Sequence, residues 1–218
     1  ILPLAVAIAI FPIPVIASVL LVGTERGSLK GLSFVVGWLA GLAVVGGVVL
    51  AGSRAGEGGA GDGSATWTSV VVLLVGVALL ALAVKQWRGR PAPGQDAPVP
   101  GWMASIDRLA VSRVVGLGFA LSGLNPKNVL LTVAAAAEIA YFDLPGGQEL
   151  AVLAVFVLLA SAGVLAPLVL SVVLGDRSNE LLDGLRGWMV RNNATIMSVL
   201  FVLIGAKLIG DAITGLAV

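Results

Sequence analysis

The sequence contains no cysteine and no histidine. Disulfides, Cys/His metal sites and Ser–His or Cys–His catalysis are therefore excluded within it. Charge is scarce too, at 11% of 218 residues, and the 13 basic side chains nearly cancel the 12 acidic ones. No G-x-x-x-x-G-K-[ST] loop occurs, so ATP-driven work would need a separate subunit. An intramembrane protease is unsupported as well. Asp211 follows Leu208-Ile209-Gly210 without paired glycines, and no second well-placed intramembrane Asp accompanies it. An enzyme is not expected, nor is any metal, cofactor or nucleic-acid partner.

What is present is hydrocarbon. Hydrophobic residues make up 58% of the chain, and the mean hydropathy is +1.06. Apolar runs of the length that crosses a bilayer core recur along it, about 20 residues each. They predict an all-α membrane protein with six transmembrane helices, over 1–22, 31–51, 67–85, 114–142, 149–174 and 194–215. The first run is interrupted by prolines and has no A-x-A-like site after it, which predicts a retained span rather than a cleaved leader. In the second, Gly37-x-x-x-Gly41 is a small-xxx-small pattern, in a chain whose 29 glycines also produce such spacing by chance.

The connections are polar at 23–30, glycine-rich and flexible at 52–66, proline-rich at 91–100, and a tight turn at 143–148. Two amphipathic stretches are expected at the membrane surface. In 102–113, Trp102, Ile106 and Leu109 share one side, with Asp107 and Arg108 on another. In 176–191, Leu181, Leu182, Leu185, Trp188 and Met189 share a face. Two three-span halves follow, 1–90 and 114–218, joined by 91–113. If the spans alternate, all but one of the loop Lys and Arg residues fall on one side, with Arg54 opposite. The positive-inside rule then puts the linker in the cytoplasm and both termini outside.

One stretch stands out against this background. Asn125-Pro126-Lys127-Asn128 lies in the middle of the fourth apolar run. Pro126 has no N–H, crowds the carbonyl of Ser122 and pushes Asn125 out of the α region. Lys127 carries a charge that costs roughly 2.5 to 3.5 kcal/mol at a helix centre on an insertion scale. A helix broken at that depth is tolerated where it is buried in protein or lines a wet cavity. A substrate path is therefore expected here. Asn125 and Asn128 suit two roles, satisfying freed carbonyls or binding substrate. Glu138, three turns on and on nearly the same face, is a candidate proton carrier or lysine partner. Lys207 and Asp211 are spaced to pair, with Glu138 a second option for Lys207. Ser18, Thr132, Ser161 and Ser171 are expected to bond across helices.

The first span carries a related break, Pro12-Ile13-Pro14. Aligning Pro12 with Pro126 brings Ser18 onto Thr132 and matches valine twice. Each break opens a three-span half, and three is odd, so the halves must be inverted relative to each other. Broken helices meeting near the midplane of inverted repeats mark many transporters. The candidate substrate-binding residues are Asn125, Pro126, Lys127, Asn128, Thr132, Pro12, Pro14 and Ser18, with Glu138 for the proton.

Asn125-Pro126-Lys127, opening the fourth of six spans, resembles the Asn-Pro-Lys motif of the LysE superfamily of small exporters. The longer run from Gly123 to Ala136, with Pro12-Ile13-Pro14, is more similar to its GAP branch, the peptidoglycolipid-addressing and sulfolipid-addressing (Sap) proteins. That resemblance implies an actinobacterial, multi-pass inner-membrane protein that helps move a cell-envelope glycolipid outward. Its partners would be membrane lipids, an amphiphilic substrate, and either further copies of the chain or lipid-export proteins. Unlike the second half, the first has no Asn or Lys at its break, so the halves cannot bind one group in the same way. Two alternatives stand beside lipid export: an exporter of amino acids or small polar solutes, and a non-transporting scaffold for a lipid transport or synthesis complex.

Overall fold

The computed structural model describes residues 1–56, 63–90, 101–142, 144, 145 and 147–216. Among them every regular element is helical. The α-helices are α1 (Leu2–Ala9), α2 (Pro12–Val22), α3 (Gly27–Gly56), α4 (Gly63–Arg88), α5 (Val111–Phe119), α6 (Pro126–Tyr141), α7 (Gln148–Ala160), α8 (Ala162–Leu174) and α9 (Ser178–Leu216). Within α3, α4 and α9, the segments Gly27–Ser53, Ser69–Arg88 and Ser178–Leu216 are each long and apolar enough to cross a membrane. The remaining helices pass the same test only as bent pairs: α1 with α2 at 49°, α5 with α6 at 61°, and α7 with α8 at 58°. Among the described residues the protein thus has the helices of a membrane protein, with three candidate spans by length and composition, or up to six when each bent pair counts as one.

Two of the bends follow from proline. Pro12 and Pro126 are the first residues of α2 and α6, where the missing N–H has no helical partner to lose. Their predecessors are extended, Phe11 at φ −62°, ψ 119° and Asn125 at φ −74°, ψ 117°. Proline imposes that conformation on the residue before it. Pro14 also falls in the first turn of α2, so it adds no second break. Ahead of Asn125 the chain widens into one π turn, Ala120–Leu124.

The third bend was not expected, since 149–174 reads as one span containing Pro167. Pro167 lies inside α8, and the chain bends at Ser161 instead. The cause is a close approach. A Cβ on Gly163 would stand 1.6 Å from the Ala9 carbonyl oxygen, so the start of α8 presses directly on the end of α1. Ser161 Oγ donates to the Val157 carbonyl at 2.6 Å, a back-bond that favours bending.

Other boundaries also differ from the sequence reading. Helix α3 begins at Gly27, inside the expected loop, and α3 and α4 extend into the stretch read as a glycine-rich loop; 57–62 lie outside the described residues, as does the proline-rich segment 91–100. The amphipathic stretch 102–113 is a 3₁₀ segment, Gly101–Arg108, followed by the start of α5 at Val111. Its apolar side does pack inward: Met103 and Ile106 are buried while Asp107 and Arg108 are exposed. The second amphipathic stretch and the sixth span are one 39-residue helix, α9. No glycine or proline stands between Arg191 and Ala194 to stop it, and Asn192 Nδ2 bonds back to the Trp188 carbonyl at 2.9 Å. Of its apolar face, Leu182 and Met189 are buried, whereas Leu181 and Trp188 are 54% and 51% exposed. At 1.5 Å per residue α9 is about 58 Å long, well beyond a ~30 Å hydrocarbon core.

Helix α4 packs along α9. Helix α3 packs on α5, the π turn and α6, while α7 and α8 pack on α1 and α2. The α2–α9 contact is matched by an α4–α6 contact. Gly37 and Gly41 make the α3 contact: a Cβ on either would be 2.0 Å from the Val115 carbonyl oxygen or Ser122 Oγ, respectively. The small-xxx-small pattern is therefore in use. Phe34, Trp38, Phe156 and Phe201 are fully buried in the core.

Candidate functional site

The second break is built by α5, the π turn and α6. Asn125 is the N-cap of α6, its Oδ1 accepting from the Lys127 backbone N–H at 3.2 Å. Asn128, fully buried, donates through Nδ2 to the Leu121 carbonyl at 2.8 Å, a carbonyl released by the π turn. So one asparagine caps the new helix and the other repairs the old one. The repair is incomplete, because Asn128 Oδ1 has no partner, and neither has the fully buried hydroxyl of Thr132 one turn on. Buried polar atoms are almost always paired, so two side-chain atoms without a protein partner in adjacent turns are unusual for a protein interior.

Lys127 is half-buried in the first turn of α6. Its Nζ sits 5.5 Å from the centre of the Phe201 ring on α9, within cation–π range. Three features oppose its charge. The first turn of a helix favours anions, not cations. Lys85, in the last turn of α4, repels it, and burial strips water from it. Among the described residues no carboxylate lies within ion-pair distance of Lys127 or Lys85.

The first break comes close to the same ring. Phe11, the residue before Pro12, meets Phe201 edge-on with centroids 6.0 Å apart. Here the one polar side chain is satisfied. Pro12 and Pro14 are buried, and Ser18 Oγ, fully buried, donates to the Val164 carbonyl of α8 at 2.7 Å. Of the four hydroxyls expected to bond across helices, Ser18 does so. Ser161 and Ser171 bond within their own helices, Ser171 to the Leu168 carbonyl at 2.8 Å, and Thr132 bonds to nothing.

Glu138 belongs to a different neighbourhood. Eleven residues of helix set it about 16 Å along α6 from Lys127. Its Oε1 pairs with Lys207 Nζ at 3.3 Å, and its Oε2 lies 3.0 Å from the Ile1 nitrogen. Lys207 also pairs with Asp211, so both partners considered for it are engaged at once. This cluster faces a cavity of about 420 Å³ that Ser69, Tyr141 and Thr214 also line. At the opposite, Lys/Arg-rich end of the bundle lies a larger cavity, of about 850 Å³. The sequence reading passed over it, since its key residue, Lys30, reads as an ordinary loop cation.

The substrate-binding set thus divides into a polar break with unsatisfied groups and an apolar break without them, both reaching Phe201. Neither a curated protein nor a solved structure matches the chain. A family model does, over residues 1–214, nearly the whole length. On that match the chain belongs to the family described as SfLAP: Sap, sulfolipid-1-addressing protein.

Proposed function

We propose that the protein is a secondary transporter that moves an anionic cell-envelope lipid outward across the inner membrane, with the Asn125–Asn128 break as its polar waypoint. The observation that carries this reading is Lys127, a cation set against a helix N-terminus and a second lysine, with no carboxylate to answer it. An anionic head group at the break would relieve all three oppositions together. The unpartnered Asn128 Oδ1 and Thr132 Oγ1 would then meet the hydroxyls of that head group. Membership of the sulfolipid-addressing family supports a lipid as cargo over an amino acid or small solute.

The halves 1–90 and 114–218 are proposed as inverted three-span repeats joined by 91–113. In support, exchanging the halves carries each main helix contact onto another: α3 on α5 and α6 onto α7 and α8 on α1 and α2, and α2–α9 onto α4–α6. The basic end would face the cytoplasm, leaving both termini outside. Glu138 is the proposed proton carrier, with Asp211 keeping Lys207 company when Glu138 is protonated. A scaffold role is the second reading, favoured by the exposed Leu181 and Trp188 on the amino-terminal part of α9.

Purified protein in liposomes tests both. Lipid movement by wild type that falls at least about tenfold in Lys127→Met, with thermal unfolding unchanged, is the expected result. Undiminished movement in Lys127→Met would remove that lysine from the mechanism. Inactive wild type that regains activity with added partner proteins would favour the scaffold.

A further inference from the structure

The 850 Å³ cavity at the basic end is walled by the turn between α2 and α3 and by the 3₁₀ segment Gly101–Arg108. Lys30, in the first turns of α3, lines it and is only 8% exposed. Its Nζ makes one hydrogen bond, donating to the Asp107 backbone carbonyl at 2.5 Å. An ammonium has three donors, and a buried one needs a counter-charge. Among the described residues no carboxylate lies within ion-pair distance of it. Arg26 and Arg108 line the same cavity and are exposed. Glu25 and Asp107 line it too, so the walls carry three cations against two anions, and the buried charge is a cation. Leu20, Ile106 and Leu109 supply an apolar side.

We infer that this cavity is an oxyanion site, with Lys30 as its buried anchor and Arg108 and Arg26 at its mouth, taking a phosphate or sulfate ester. With no carboxylate within ion-pair distance of the buried ammonium, and with Glu25 and Asp107 outnumbered by Lys30, Arg26 and Arg108 in the walls, the cavity keeps a net positive charge that an anion from outside the chain would balance. A tetrahedral oxyanion offers several acceptor oxygens, enough to occupy the spare Lys30 donors and an arginine fork together. The apolar side would lie along the first carbons beyond the ester. The site is separate from the Lys127 break and does not depend on the transport reading.

Native mass spectrometry of the full chain in detergent tests it, using phosphatidylglycerol, phosphatidylcholine and inorganic phosphate as separate probes. Phosphatidylglycerol is expected to bind about tenfold more tightly than phosphatidylcholine. Lys30→Gln should remove most of that preference. Arg108→Gln, at an exposed position, should reduce it about threefold. Because the Lys127 break is itself proposed to take an anionic head group, the comparison is made in a Lys127→Met background, where the remaining preference reports the Lys30 cavity alone and failure here is separate from failure of the transport reading. Inorganic phosphate binding that is lost in Lys30→Gln identifies a free anion as the source; phosphatidylglycerol binding alone identifies a lipid head group. In the Lys127→Met background, a phosphatidylglycerol preference that survives both Lys30→Gln and Arg108→Gln, or no binding by either anionic probe, overturns the proposal.

Discussion

The two proline breaks share an extended residue before a helix-starting proline and differ in their chemistry. In both, an extended residue precedes a proline that starts a new helix, and a fully buried hydroxyl follows six residues later. At the first break that hydroxyl is satisfied by Val164, both prolines are buried, and Ala9 is pressed against Gly163. At the second, Pro126 is exposed, Lys127 is half-buried, and Asn128 Oδ1 and Thr132 Oγ1 have no partner. One break is a structural joint whose polar groups are settled within the protein. The other leaves capacity unused. A shared fold of the chain at two places does not bring a shared function, because side chains, not the bend, decide what the place can hold.

The contrast makes ordered predictions, all readable by thermal unfolding in detergent. Gly163→Ala should have the largest effect, since its Cβ would strike the Ala9 backbone, and about 3 kcal/mol or more is expected. Gly41→Ala beside the second break should cost less, about 2 kcal/mol, because the nearest atom is the Ser122 hydroxyl, while the backbone atoms it meets, Gly123 N and Phe119 O, stand at 2.9 Å rather than 1.6 Å. If Gly41→Ala proved the more damaging, the second break would be the tighter joint and the assignment of roles would reverse. Ser18→Ala should cost about 1 kcal/mol for the lost cross-helix hydrogen bond. Thr132→Val should be neutral or slightly stabilising, since it removes an unsatisfied hydroxyl of similar shape. A loss of lipid movement in Thr132→Val without loss of stability would tie that orphan to cargo; a loss of stability would show that the hydroxyl has a structural partner after all.

Much of this was legible in the sequence for a plain reason: proline and lysine are informative inside hydrocarbon. Pro12 and Pro126 located two breaks because a missing N–H is a local fact. The bend at Ser161 escaped because its cause is not local. It lies in the proximity of Gly163 to Ala9, residues far apart in the chain, while the conspicuous Pro167 is carried within a helix. The continuity of α9 was missed for the converse reason. A change from amphipathic to apolar pattern reads as a boundary, but pattern reports surroundings, and helices stop only where a residue stops them. At the site, the split between Asn125 as cap and Asn128 as carbonyl partner needed the path of the π turn. The burial of Lys30 needed the 3₁₀ segment that covers it, which no property of Lys30 itself announces.

Phe201 has a consequence for motion. It sits on a helix that runs uninterrupted through the bundle, with Phe11 against its edge and the Lys127 amine near its face. A displacement of either break would alter the packing of this one side chain, which also touches the other. The two breaks thus share one aromatic neighbour, and a fluorine label on it would report on both in one resonance.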